Sequence, residues 1–243
     1  MIEVRREVRP VWPLRLPRNT APDGVAKVRD GVLHRMLVLP EGQVRVRVAA
    51  QAGGSLLFGA DAPDRASADQ AIDMVAFALG VEDDLKPFHD RFRDDPVIGR
   101  SVRRSPHLRP HRRPRAWEAL AWGVTEQLIE YVRAAAIQRR IVRKAGPWSA
   151  EWQLADVPSP LELAGMAPAE LVGMDLAAVR ASTLLRVAKA VADGRIGLGS
   201  SSASLMASVK RFPGIGDWTA EITALHGLGD LSVVPAGDLG YLK

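Results

Sequence analysis

Val209 to Glu221 reads VKRFPGIGDWTAE, and this stretch decides the fold. An amphipathic helix ends at Phe212-Pro213, a Gly-Ile-Gly turn follows, and Asp217-Trp218-Thr219-Ala220 opens the next helix. The glycines at 214 and 216 permit φ > 0 in a tight turn and leave backbone N–H groups uncovered at a helix N-terminus. Such a turn suits one phosphate, held through the backbone and not through a base edge. A Gly-x-Gly on its own often does no more than join two helices. The proline before it and the Trp-Thr-Ala after it make this string more specific.

Working outward, three side chains near the turn invite a chemical reading. Asp238 follows in VVPAGDL. Aspartate is a preferred helix N-cap, and Pro-x-Gly-Asp is an ordinary way to enter a helix. The alternative is a carboxylate beside a sugar-phosphate backbone, where a fixed anion stabilises positive charge developing on the sugar. Trp218 reads either as core packing between helices or as one wall of a base pocket, where an indole stacks on an extruded, cationic base. Leu128, in Glu126-Gln127-Leu128-Ile129, fits an apolar stripe. It is a core residue on spacing, or else a wedge that fills the gap left by an extruded nucleotide.

Length and composition bound the rest. The chain has 243 residues, enough for one large or two modest domains. Its net charge of +5 suits an anionic partner. Between Asp95 and Glu118 there is no acidic residue, while Arg100, Arg103, Arg104, Arg109, Arg112, Arg113 and Arg115 fall there with His107 and His111. That segment reads as a solvated connector or as a set of phosphate contacts. There are no cysteines, which excludes disulfides, Cys-bound zinc and a cysteine-ligated iron–sulfur cluster. No apolar run approaches a membrane span and the N-terminus lacks a signal-peptide core. The expectation is a soluble, cytoplasmic protein.

The periodicity predicts an α+β fold. Gly31–Leu39 and Gln43–Ala50 make an antiparallel hairpin, the second with strict alternation of Val44, Val46 and Val48 against Arg45 and Arg47. Glu3–Trp12 and Ser55–Phe58 add strands, and a helix capped by Ser67 runs to about Leu79. After Gly80 strand signals nearly vanish. Asp83–Phe92 is predicted helical. Arg115 to about Lys144 reads as one long helical stretch, with Trp117, Leu120, Ala121, Val124, Leu128 and Val132 at helical spacing and a local break at Gly123. Short helices open at Pro160 and Pro168, and Asp175 caps a helix through Val191. The domains are expected at 1–82, an antiparallel-sheet α/β unit, and 83–243, an all-helical unit with its hairpin at about 204–227.

In this order the elements resemble the helix-hairpin-helix DNA glycosylases, within them the bacterial 3-methyladenine DNA glycosylase II group. The motifs that carry the likeness are FPGIGDWTAEITALHGLGD and PAGDLGYLK, with weaker support from Trp117–Gly146 and from PSPLELAGM to GRIGL. The resemblance implies a small TBP-like α/β domain at the N-terminus followed by the helical glycosylase domain. It implies Asp238 as the catalytic aspartate and Trp218 in the base pocket. DNA contacts would fall at Pro213, Gly214, Ile215, Gly216 and Thr219, with Gln127 and Leu128 on the wedge. Backbone carbonyls of Phe212 and Ile215 would hold a monovalent cation, Na+ or K+; no other cofactor is implied. Trp218 stands where bifunctional relatives place a Schiff-base lysine, which points away from strand cleavage. Three departures stand out. Glu126 precedes Gln127 where a small residue is usual. Ile222 replaces a frequent aromatic. The chain stops at Lys243, where the family continues for several helical turns.

The expected function is a monofunctional, monomeric glycosylase of base-excision repair. It would hydrolyse the N-glycosidic bond of alkylated purines such as 3-methyladenine in damaged double-stranded DNA. A non-catalytic module for bent or damaged DNA, and a glycosylase for hypoxanthine or uracil, are the alternatives.

Overall fold

The structure, a computed structural model, describes residues 1–199 and 201–238. It is α+β, and its contacts divide it into two compact units. The first comprises Met1–Thr20 and Ala26–His111; the second comprises Ala21–Val25 and the chain from Arg112 onward.

The first unit is a five-stranded antiparallel sheet with helices. The strands are β1 (Ile2–Val8), β2 (Ala26–Arg29), β3 (Val32–Leu39), β4 (Gly42–Ala50) and β5 (Leu56–Ala62), ordered β1-β5-β4-β3-β2. The alternation in β4 is realised: Val44, Val46 and Val48 are buried while Arg45 and Arg47 are only partly so. Register sets Leu33 opposite Val48 and Val46 opposite Ala60, so the apolar side chains share one face. Helix α1 (Arg65–Leu79) covers that face through Ala68, Ala71, Ile72 and Val75. Its N-cap is Asp64, whose side chain accepts the Ser67 N–H at 2.8 Å, and not Ser67 itself. Strand β2 and the extension of β5 to Ala62 exceed what the sequence predicted; at four residues, β2 is too short for a period to register.

Two short helices, α2 (Lys86–Phe92) and α3 (Gly99–Arg104), complete the first unit. The expected boundary at residue 82 falls just after α1, whereas the contacts keep the chain as far as His111 with the sheet. Arg109 is one reason. Its guanidinium donates to the carbonyls of Trp12 (2.7 Å), Pro13 (2.9 Å) and Gly80 (3.0 Å). This arginine is neither solvated nor free for phosphate.

The second unit is helical: α4 (Ala116–Glu126), α5 (Tyr131–Ala145), α6 (Pro160–Ala164), α7 (Pro168–Gly173), α8 (Ala178–Ala192), α9 (Ser202–Val209) and α10 (Asp217–Thr223), which runs on as a π-helical turn over Ala224–Leu228. A two-residue ribbon pairs β6 (Trp148–Ser149) with β7 (Leu154–Ala155). The core collects Leu120, Trp122 and Val124 from α4, Ile137 and Ile141 from α5, Leu184 and Val187 from α8, and Leu205 and Val209 from α9. Asp175 does not cap α8. It has φ +74° and its carboxylate pairs with Arg133 at 2.8 Å.

The long helix expected over 115–144 is two helices. It breaks at Gln127–Glu130, not at Gly123. Gly123 lies inside α4, where a Cβ would stand 3.4 Å from Thr219 Cγ2 and 3.6 Å from Ile222 Cγ2. Those are ordinary contact distances, so Gly123 marks where α10 packs on α4, and Ile222 is buried. Beneath α4, Asp23 accepts from Arg113 Nη1 (2.7 Å) and from Trp122 Nε1 (3.2 Å), and Glu118 stands 3.4 Å from Arg113. Burial pushes the Arg113 guanidinium down, but Asp23, Glu118 and Glu126 outweigh it and the net direction is up. Removing one member of such a buried set typically costs about 3–5 kcal/mol.

Candidate functional site

The hairpin turn and the loop between α4 and α5 face one open cleft of about 660 Å³. Gly214, Gly216, Trp218 and Thr219 line it from the hairpin side, Gln127 and Leu128 from the loop, and Asp238 with Gly237 from the end of the described chain. Side chains spread over more than a hundred residues thus converge on one cavity.

The hairpin is held from behind by α8. Gly214 has φ +91°, and a Cβ there would stand 2.4 Å from Thr183 Oγ1, so both conformation and space demand glycine. Gly216 is different. It is the N-cap of α10 with φ −96°, and a Cβ would meet nothing within 4 Å. Ile215 points into the core with 7% exposure, leaving only its backbone to a ligand. Pro213 is exposed, and its carbonyl accepts from Arg186 Nη1 at 3.0 Å. Lys210 pairs with Asp217 across the turn; that hydrogen bond raises the lysine and keeps its amine protonated.

The hairpin carbonyls are already supplied with donors. Phe212 O accepts the Ile215 N–H at 3.0 Å and Gly214 O accepts Gln127 Nε2 at 2.9 Å. The Arg186 guanidinium puts a fixed positive charge on the same loop. One accepted bond leaves a second lone pair on the Phe212 carbonyl, so Phe212 and Ile215 could still hold the expected Na+ or K+.

Gln127 does more than its sequence position suggested. Its amide bridges Gly214 O and Thr219 Oγ1 (2.8 Å), and its own carbonyl accepts from Arg180 Nη1 at 2.6 Å. Thr219 is 2% exposed, so its hydroxyl serves this bridge. Leu128 follows with φ +55° and 88% exposure. The apolar-stripe reading of Leu128 and Val132 therefore fails: both point to solvent, because the helix ends before them.

Trp218 is half-buried on the cleft wall. Asp238 is also half-buried, and its backbone N–H donates to Pro235 O at 3.0 Å. The helix it was expected to cap falls on residues 239–243, outside the described residues. Glu126, Glu130 and Tyr131 also line the cleft. Glu126 departs from the family pattern, and Tyr131, whose phenol is raised by burial, has no signal in the sequence. Both sit at the hidden break between α4 and α5, which is why periodicity gave no sign of them. Among the described residues no group of His, Asp or Glu side chains forms a metal site.

Comparison with known proteins finds similar sequences and folds. Over 173 residues the chain is 27% identical to a DNA-3-methyladenine glycosylase of Bacillus subtilis, covering 67% of this chain and 55% of that protein. Over 228 residues it is 28% identical to a probable bifunctional transcriptional activator/DNA repair enzyme AlkA of Mycobacterium tuberculosis, covering 91% and 45%. The chain spans about half the length of these relatives. No family model matches it. A 3-methyladenine DNA glycosylase from Archaeoglobus fulgidus superposes with a TM-score of 0.81 at 20% identity, over 98% of this chain and 83% of that one. MBOgg1, solved with a low-affinity DNA ligand, gives 0.73 at 17% identity, over 95% and 79%. The fold is that of the DNA glycosylases. By sequence the chain is similar to DNA-3-methyladenine glycosylases and AlkA-type repair enzymes, and its fold is the one those solved glycosylases share.

Proposed function

We propose that this protein is a monofunctional DNA glycosylase of base-excision repair that hydrolyses the bond between deoxyribose and an alkylated purine such as 3-methyladenine in duplex DNA. The observation that carries this reading is the convergence of Asp238, Trp218, Leu128 and the Gly214–Gly216 turn on one cleft. The hairpin amides hold one backbone phosphate. Leu128 enters the duplex where the target nucleotide leaves it. The extruded base stacks on Trp218. The C1′–N bond then breaks with its electron pair leaving on the base, and Asp238 stabilises the sugar cation. Water adds to C1′ and loses a proton, leaving an abasic strand and a free base. Alkylation already places positive charge on the leaving base, so little acid assistance is required.

On this reading the sheet unit is the superfamily's small TBP-like domain and the helical unit its glycosylase domain. The protein acts as a monomer in the cytoplasm. No helix among the described residues is long and apolar enough to cross a membrane. On the resemblance Trp218 stands where bifunctional relatives place a Schiff-base lysine, and among the described residues the nearby Lys210 is paired with Asp217 and its amine raised. Borohydride should therefore trap no enzyme–DNA adduct.

The test is a panel of duplexes carrying single lesions, with released base quantified. 3-Methyladenine should be released by the native chain. Asp238→Asn should lose roughly 10²–10³ in rate while still binding the duplex, because asparagine keeps the shape and the capping ability but not the charge. Near-normal release by Asp238→Asn would leave the aspartate as a cap only. Binding without release of any base by the native chain would favour the non-catalytic module.

A further inference from the structure

Glu126 is an anion in a place where an anion is costly, at the rim of a loop meant to approach phosphates. Its surroundings explain how it is kept. It is the last residue of α4, and its Oε1 accepts Gln138 Nε2 at 2.9 Å. Gln138 is 1% exposed and also donates to Thr125 Oγ1 at 2.9 Å, so its amide cannot swing away. The carboxylate is thus pinned on its inner side and half-buried, lining the same cleft as Trp218. Two residues on, the chain turns sharply and Leu128 projects outward. The backbone break separates the two tasks, with the wedge toward solvent and the carboxylate toward the cavity.

We propose that Glu126 is a specificity residue that selects positively charged bases, through its fixed negative charge in the cleft. This deepens the proposed function and rests on it for the identity of the bound group. Glu126 is not asked to transfer a proton. Its role is to favour a cationic purine over a neutral purine of the same shape, which an aromatic wall alone does less sharply. Arg113, the buried cation that acts on Glu126, is shared with Asp23 and Glu118, which carry two negative charges against its one.

The experiment separates charge from shape and needs no catalysis. Binding of 3,9-dimethyladeninium, a permanent cation, and of 9-methyladenine, its neutral counterpart, is measured by calorimetry on the full chain. The native chain should prefer the cation by about tenfold or more, as one partly screened charge pair allows. Glu126→Gln keeps an acceptor for Gln138 and should remove most of that preference. Glu130→Gln, at an exposed position of the same cleft, should leave most of it. No preference in the native chain, or a preference that survives Glu126→Gln, overturns the inference. If Glu126→Gln loses binding of both compounds equally, the residue is structural and the inference also falls. Failure of the lesion panel with the cation preference intact would instead remove the glycosylase reading and leave a cation-selective cleft.

Discussion

The loop Gln127–Glu130 and the turn Phe212–Gly216 face the same cleft and are built by opposite means. Each needs one residue in left-handed backbone. In the turn it is Gly214, for which φ +91° carries no steric cost. In the loop it is Leu128 at φ +55°, which costs about 1 kcal/mol or more. Packing of its own side chain does not offset that cost, since Leu128 is 88% exposed. Both segments are braced by α8, through Arg180 on Gln127 O and Arg186 on Pro213 O. The turn is what folding alone would choose. The loop carries a strained, exposed leucine whose side chain gains little from the fold, as a residue with a partner outside the chain would.

The largest expected effect breaks or upholds that contrast directly. Leu128→Ala should lower base release from duplex DNA roughly 30-fold, the loss of about 2 kcal/mol of wedge insertion. Its denaturation midpoint should stay where it is. Leu128→Gly should lose as much release and gain slightly in stability, because it relieves the left-handed strain. A stability loss of the size seen for a core leucine, about 2–5 kcal/mol, would show Leu128 packed in solution and end the contrast.

Gly214→Ala comes next, and it should act through folding. The new Cβ meets Thr183 Oγ1 at 2.4 Å and the backbone stays at φ +91°. The expected loss is about 1–3 kcal/mol in chemical denaturation. Adding Thr183→Ala should return the steric part and leave the conformational part, which divides the two causes. Additivity of the two single changes would mean the clash is absent.

The difference between the two segments also decides what could be read from the sequence. The hairpin was legible because its determinants are contiguous: glycines, proline and the opening of α10 lie within a dozen residues. The loop was not. Leu128 and Val132 continue the apolar period of α4, and what stops the helix comes from far along the chain, as Arg180, Gly214 O and Thr219 engage Gln127. The arginine-rich segment misled for the same reason. Arg109 and Arg113 are taken up by carbonyls near residues 12 and 80 and by Asp23, partners that no local pattern reveals. Alternation in β4 was clear, whereas β6 and β7 have two residues each and no period.

A smaller effect tests the brace from α8. Arg180→Met removes the donor to Gln127 O while keeping an apolar stem of similar length. The hydrogen bond is partly exposed, so the stability cost should be about 1 kcal/mol. Base release should fall several-fold, since Gln127 and Leu128 lose their anchor together. Arg186→Met should do the same on the hairpin side and weaken duplex binding more than turnover. If Arg180→Met lowers stability and leaves release unchanged, the loop does not depend on α8 for its working geometry.

The smallest effect on stability belongs to Gly216→Ala, and it is informative because it is small. Both glycines of the turn suggest a need for glycine, but the structure gives them different reasons. At Gly216 the backbone, φ −96° and ψ −176°, is open to any residue. A Cβ there meets nothing. Alanine caps a helix less well than glycine, by a few tenths of a kcal/mol. It also restricts the unfolded chain, which returns about the same amount. The denaturation midpoint should therefore hardly move, within about 0.5 kcal/mol. Duplex binding is a separate matter. If a phosphate rests on the hairpin amides, a methyl group on that open face stands in its way, and affinity should fall with the salt dependence reduced by roughly one ion contact. Gly214→Ala would then weaken DNA binding because the turn is distorted, and Gly216→Ala because the ligand is blocked on an intact turn. An unchanged affinity and salt slope for Gly216→Ala would mean that no phosphate sits on that face, and the hairpin would be reduced to a joint between α9 and α10.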